Sequence, residues 1–255
     1  MRRRRYPILE FDPAREAVIH PSNVVAPADV PARCVVCFFR EVLVGLEQGG
    51  QARRVACFRS EIGEIPVYAV DMDGEPVATF QPGVGASLSA ALLEQAIALG
   101  CRKFIACGGA GVLRRDIAAG HLVVPTSAVR DEGTSYHYLP PGREVAASPE
   151  AVAAVERALQ RRGEPYLTGK TWTTDAPYRE TRDKVRMRRA EGCLTVEMEA
   201  AAFFAVAQFR GVPFAQILYG GDDVSGAEWD PRGWHRRTTV RENLFWLAAE
   251  ACVEM

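Results

Sequence analysis

Short apolar runs recur along the chain and alternate with stretches whose apolar residues return every three or four positions. Runs at residues 34–39, 67–70, 77–80, 104–107, 122–124, 194–198 and 215–219 read as strands. Between them lie helical patterns. Residues 87–99 are the clearest, with Leu88, Ala91, Leu92, Ala96 and Leu99 on one face and Gly100 as a C-cap. Further helices are predicted at 149–160, 199–209 and about 240–252. Such alternation is the signature of β-α units stacked around a largely parallel sheet. Residues 129–148, with Gly133, Pro140, Pro141 and Gly142, break the pattern as a long excursion, and long loops in compact domains usually serve a function.

Composition narrows the class. A chain of 255 residues, 48% hydrophobic and 25% charged, has the make-up of a globular protein that buries a large core. No linker, repeat or low-complexity segment divides it, so residues 21–255 are expected to form one α/β domain. Basic and acidic residues nearly cancel, 31 against 32, which gives no reason to expect a nucleic-acid partner or an anionic membrane surface. Arg2 to Arg5 are the exception. They precede Tyr6-Pro7-Ile8-Leu9-Glu10 rather than an unbroken apolar stretch, so the signal-peptide pattern fails, and residues 1–20 are expected to be a flexible basic segment. No apolar run approaches the ~18–20 residues that cross a bilayer, and a cytoplasmic location is expected.

The seven cysteines are odd in number and spread over hydrophobic segments, which points to reduced, buried thiols. Cys34-Val35-Val36-Cys37 has the spacing of a redox or metal half-site. No second pair matches it, so it reads as core strand, and neither a metal nor a cofactor is expected.

Chemistry concentrates in a few places. Leu194-Thr-Val-Glu-Met-Glu-Ala-Ala-Ala202 sets Glu197 and Glu199 where an apolar strand turns into an alanine-rich helix. A solvated helix start would accommodate them, but their neighbours are apolar. A carboxylate beside a core needs partners, and a vicinal diol supplies two hydroxyl donors. Asp222 and Asp223 end the next apolar run after Gly220-Gly221, as a strand-ending turn or as an acid site. Adjacent carboxylates repel, so one is expected to hold a proton near neutrality, as a general acid must. In an α/β protein the carboxyl ends of neighbouring strands meet in one crevice, where both acidic clusters can share a site. Two glycine-rich turns, Gly83-Val84-Gly85-Ala86-Ser87 and Gly108-Gly109-Ala110-Gly111, follow strands. They serve either tight-turn sterics or close approach of a ligand to backbone amides. Among four isolated histidines only His137, between Tyr136 and Tyr138, falls in the long excursion.

Together these residues resemble the nucleoside phosphorylase family, which includes purine nucleoside phosphorylase, uridine phosphorylase and related nucleosidases. The likeness runs from about Cys34 to Val224 and is most specific at Val196-Glu-Met-Glu-Ala200. It extends to Gly83-Val-Gly-Ala-Ser87, residues 104–111, Thr126-Ser-Ala-Val-Arg-Asp-Glu-Gly-Thr-Ser-Tyr-His137 and Thr174-Asp-Ala-Pro-Tyr178. It implies a single α/β domain with a central mixed, partly barrel-like sheet flanked by helices. It implies a pentosyltransferase that cleaves the N-glycosidic bond of a purine or pyrimidine nucleoside with phosphate as co-substrate, giving free base and pentose 1-phosphate. By the same likeness Glu199, with Glu197, holds the ribose, Met198 packs under the sugar, and Asp222 protonates or holds the base. Val196, Pro177 and Tyr178 border the base, and Gly85, Gly108 and Gly109 lie near phosphate. A homo-oligomer, either a trimer or a dimer-based hexamer, is also implied.

The chain departs from the family pattern at phosphate. The usual Gly-Asp-Pro-x-x-Arg turn is replaced by Cys37-Phe-Phe-Arg-Glu41, and Ala106 and Gly109 stand where an arginine and a hydroxyl residue are usual. Arg40, from a shifted position, is a candidate substitute, and Arg59 resembles the arginine that a neighbouring subunit lends; an arginine fork binds phosphate oxygens in pairs, while a surface position accounts for either alone. Two alternatives follow: a nucleosidase, in which water replaces phosphate, and a non-catalytic nucleoside sensor.

Overall fold

Ten strands hydrogen-bond into one sheet in the computed structural model, which describes residues 3–255. Met1 and Arg2, part of the basic start, lie outside the described residues. In chain order the elements are β1 (Arg33–Cys37), α1 (Arg40–Gln48), β2 (Ala52–Ser60), β3 (Gly63–Met72), β4 (Glu75–Phe80), α2 (Ala86–Leu99), β5 (Lys103–Val112) and β6 (Leu122–Asp131). They continue with β7 (Glu144–Ala146), α3 (Pro149–Arg162), β8 (Tyr166–Thr174), α4 (Arg182–Ala190), β9 (Cys193–Glu197), α5 (Ala200–Arg210), β10 (Phe214–Asp223) and α6 (Thr238–Val253).

Five strands close on themselves. β5 runs parallel to β10, β10 antiparallel to β6, β6 parallel to β8, β8 parallel to β9, and β9 antiparallel back to β5. From β5 the sheet continues through β1, β4, β3 and β2. This is the mixed, partly barrel-like sheet with flanking helices that the resemblance implies.

Successive residues of β1 serve opposite cores. Val35 and Cys37 pack with α1, α3 and α6, whereas Cys34 and Val36 pack with α2 and α5. That alternation also parts Cys34 from Cys37, so the two never form a half-site. All seven cysteines are free thiols, and all but Cys57 are buried. α5 is apolar nearly all round because it is enclosed, with Ala200 to Ala207 buried and Phe203 stacked on Phe214 at 4.9 Å.

Three strands (β2, β7, β8) and two helices (α1, α4) are not among the predicted elements, although α1 carries an apolar face with Val42, Leu43 and Leu46 buried. β8 is rich in threonine, yet Thr171, Thr173 and Thr174 are buried. Two of the hydroxyls find partners across β8 and β9, Thr195 Oγ1 donating to Thr171 Oγ1 at 3.0 Å and Thr173 Oγ1 donating to Glu197 at 2.6 Å, while Thr174 Oγ1 accepts from the Ala176 amide. α4 is strongly basic and buries only Val185 and Arg188. The excursion predicted at 129–148 is shorter than expected, because β6 runs through Asp131 and β7 returns beside it. The intervening loop folds around Arg130. Its Nε donates to Ser135 Oγ at 2.8 Å, its fork donates to the carbonyls of Pro140 and Leu139, and its guanidinium lies 4.3 Å over the Tyr136 ring.

The glycines at 108–111 form no turn; they lie within β5. They are needed because other groups press on the strand. A Cβ at Gly108 would sit 3.1 Å from the Phe38 ring, and one at Gly109 would sit 3.1 Å from the Tyr219 ring. Gly220 in β10 is as crowded, with the Ala118 carbonyl oxygen and Val112 Cγ1 both 3.0 Å from a built Cβ. Gly220→Ala is therefore expected to cost about 1–3 kcal/mol of stability, read as a lower denaturant midpoint. An unchanged midpoint would show that the strand gives way without cost.

Candidate active site

A cavity of about 810 Å³ opens at the carboxyl ends of β5, β9 and β10. One wall is the β9–α5 junction, where the strand ends at Glu197 and the helix starts at Ala200. Glu197 is buried, and its carboxylate collects the local donors. Oε2 accepts from the amides of Glu199 (2.7 Å) and Ala200 (2.6 Å), and Oε1 accepts from Thr173 Oγ1. Thr173 Oγ1 in turn accepts from the Ala201 amide at 2.9 Å. These are orphan amides of a helix start, where a carboxylate is favoured. Glu197 thus spends its oxygens on backbone, and its geometry is that of a positioning residue for the junction.

Glu199 is the carboxylate that this junction presents to the cavity. Its Oε1 accepts from the Gly85 amide at 2.6 Å and its Oε2 from the Met198 amide at 3.3 Å, which leaves lone pairs free on both oxygens. Gly85 has φ +96°, a conformation that L side chains rarely adopt, so glycine is required for that amide to reach Glu199. Burial, then the charge of Glu197, pushes the Glu199 carboxyl up to about 8 against these hydrogen bonds. Burial raises Glu197 as well.

Asp222 faces the same cavity from the end of β10, accepting from the exposed Trp229 Nε1 at 2.7 Å. Gly111 makes room for it, since a Cβ there would lie 3.0 Å from Val196 and 3.4 Å from Asp222 Oδ1. Asp223 does not share the site as expected. The two side chains diverge along the strand, and Asp223 pairs with Arg232 and accepts from the Ser225 amide. The second carboxyl beside Asp222 is Glu180, which lines the cavity and is pushed up to about 7 by burial and then by the Asp222 charge.

Met198, Val196, Pro177, Tyr178, Gly108 and Gly109 line the cavity, as do Glu197 and Glu199. His137 and Arg40 do not, and Arg59, expected to serve a neighbouring subunit's site, lies outside this chain's own cavity. His137 lines a separate hollow with Tyr138, Phe209 and Arg210, because the Arg130-centred loop turns it away. Arg40 is exposed at the start of α1, and Arg59 is exposed on β2, 3.6 Å from Glu64. At the Gly108–Gly109 end the cavity wall is instead Phe38, Phe39, Tyr219, Trp234 and Arg241.

The phosphorylase superfamily model matches residues 34–244, which takes in all of the sheet but the first residue of β1, and this whole cavity. The chain belongs to that superfamily. A guanosine phosphorylase of Halorubrum lacusprofundi is 29% identical over 184 residues, covering 69% of this chain and 76% of that protein. Uridine phosphorylase of Escherichia coli is 25% identical over 163 residues, 58% of this chain and 64% of that enzyme. Among solved structures, purine nucleoside phosphorylase of Toxoplasma gondii superposes with a TM-score of 0.77 at 22% identity, covering 94% of this chain and 96% of that one. AMP nucleosidase of Bacteroides thetaiotaomicron superposes with a TM-score of 0.71 at 23% identity, covering 88% and 87%. At these identities the two structures show a shared fold.

Within this superfamily member, Glu180, Trp229, Tyr219 and Arg241 are site residues that no motif signalled. Glu180 alone had a hint, two positions beyond the recognised Tyr178. The others come from β10, α6 and the loop between them.

A carboxyl whose folded pKa lies above its unfolded value stabilises the fold below the unfolded value, and that contribution is lost as pH rises through the folded one. For Glu199 the window runs from the ordinary 4.5 to about 8. Wild type is therefore expected to lose thermal stability relative to Glu199→Gln as pH rises from about 5 to about 8.5. A melting-temperature gap that stays constant across that range would refute the assignment.

Proposed function

We propose that the protein cleaves the N-glycosidic bond of a purine nucleoside and passes the pentose to phosphate. One observation carries this reading: Glu199 and Asp222, far apart in sequence, line one cavity, where a carboxyl for a sugar diol and one for a leaving base can act together. Glu199 accepts the ribose hydroxyls on its free lone pairs, and Met198 supplies the apolar floor beneath the sugar. Bond breaking gives the ribose oxocarbenium character while negative charge moves onto the base, so both must be stabilised. Toward the first need the cavity brings more carboxyls, Glu180, Glu197, Glu199, Asp222 and Glu228, than arginines, Arg182 and Arg241; burial raises Glu180, Glu197 and Glu199, so these three contribute negative charge only in their deprotonated form. Asp222 suits the second by holding or donating a proton to the base, with Glu180 as its neighbour. Two carboxyls at the base end, Asp222 and Glu180, favour a purine.

A second reading, hydrolysis, is favoured by the phosphate end. The Gly85 amide is committed to Glu199, and Ala106 and Gly109 bring no side-chain donor. A panel of purine and pyrimidine nucleosides, incubated with and without phosphate and followed by chromatography of bases and sugars, decides between them. Phosphate-dependent release of a purine with pentose 1-phosphate is expected. Release unchanged on omitting phosphate would establish hydrolysis, and binding without release would leave a sensor. Asp222→Asn is expected to lower kcat about 10²–10⁴-fold with the nucleoside Kd within about threefold, the mark of a group that acts in the transition state.

A further inference from the structure

We propose that Arg241 is the anion-binding residue of the cavity and holds a phosphate group at its Gly108–Gly109 end. Among the described residues two cations line the cavity, and they sit apart. Arg182, at the start of α4, donates to the Ala227 carbonyl beside the base-side residues Tyr178 and Glu180. Arg241, on α6, lies at the opposite end against Phe39 and Tyr219. Tyr219 is the ring that packs on Gly109, so Arg241 is one side chain removed from the glycine where the family's phosphate contacts cluster.

Its setting is that of a held guanidinium. The side chain is 11% exposed, with the charge 5.3 Å over the Phe39 ring and 5.5 Å over the Trp234 ring. Three of its five N–H donors are used, by Tyr219 Oη (3.2 Å), Glu41 Oε1 (2.5 Å) and the Trp234 carbonyl (3.4 Å). Two remain for an oxyanion. Glu41 supplies the counter-charge from a 45% exposed position, from which it can turn into water when an anion arrives. An arginine brought by α6 thereby replaces those missing from β5 and from the segment after β1, and the aromatic rings pre-set its fork.

The phosphate group has two possible sources, inorganic phosphate or the 5′-phosphate of a nucleoside monophosphate. This assignment builds on the nucleoside-cleaving reading of the same cavity, yet binding tests it separately. Thermal unfolding of wild type, Arg241→Gln, Arg241→Lys and Glu41→Gln would be followed with inorganic phosphate and, separately, with purine nucleoside 5′-monophosphate. Nucleoside cleavage would be measured in parallel against phosphate concentration. One of the two phosphates is expected to raise the melting temperature of wild type and identifies the source. For that ligand Arg241→Gln is expected to weaken binding about tenfold to a hundredfold, the loss of one charge-assisted contact. Arg241→Lys keeps the charge without the fork and should fall between. Glu41→Gln should tighten binding about threefold or more by freeing the guanidinium, which a merely structural ion pair would not do. Should Arg241→Gln fail to fold, the Lys and Glu41 variants still decide. The proposal is overturned if neither phosphate protects wild type, or if Arg241→Lys and Glu41→Gln both bind phosphate as wild type does. Base release in water would then stand unaffected. Conversely, protection by phosphate that weakens in Arg241→Lys upholds the site even if no nucleoside is cleaved.

Discussion

The carboxylate of Glu197 is the tie on which the site depends. It gathers the Glu199 and Ala200 amides and the Thr173 hydroxyl at one buried point, joining β8, β9 and α5. Hydrogen bonds to a charged acceptor are stronger than neutral ones, and burial makes their loss expensive. With the junction held, the next carboxylate along the chain has one direction open to it, toward the cavity and the Gly85 amide. The ligand-facing role of Glu199 is therefore purchased by the structural role of Glu197, and two residues of the same type in one motif do different work.

A second constraint is the closure of β5, β6, β8, β9 and β10 into a ring. Closure brings the ends of β5, β9 and β10 together, and it also crowds them. Gly109, Gly111 and Gly220 relieve that crowding, since each faces a side chain or a carbonyl at about the distance where a Cβ would collide. The glycine-rich character of these strands thus reflects what presses on them more than any turn. The same absence of side chains leaves Asp222 beside Val196 and Tyr219 against Gly109, which is how the cavity acquires its acid and its aromatic wall.

The cavity carries an excess of carboxyls held above their ordinary pKa by burial, most clearly Glu199 and Glu180. Burying such groups costs stability, and under the proposed reaction they face developing positive charge on a sugar. The aromatic end is the counterpart, with a single guanidinium stacked between two rings. Relative to the family pattern, the Glu197-Met198-Glu199 segment is retained, whereas Ala106 and Gly109 stand where an arginine and a hydroxyl residue are usual.

The local patterns determined a good deal. Period-two and period-3.6 apolar runs located β1, β4, β5, β10, α2, α3, α5 and α6, because elements with buried faces must carry that signal. The Glu197-Met198-Glu199 junction and Asp222 were legible as one sugar-and-acid pair, because their polar groups stand out against apolar neighbours. β8 and α4 were not legible, since threonine hydroxyls satisfied across β9 and basic residues on an exposed helix leave no apolar period. His137 looked functional by its neighbours, and only the packing of Arg130 showed that its loop turns elsewhere. The division of labour between Glu197 and Glu199, the divergence of Asp222 from Asp223, and the placing of Glu180 and Arg241 were decided by tertiary structure alone. Each depends on which distant backbone amide, ring or carboxylate the fold sets within a few ångströms, and spacing along the chain carries no record of that.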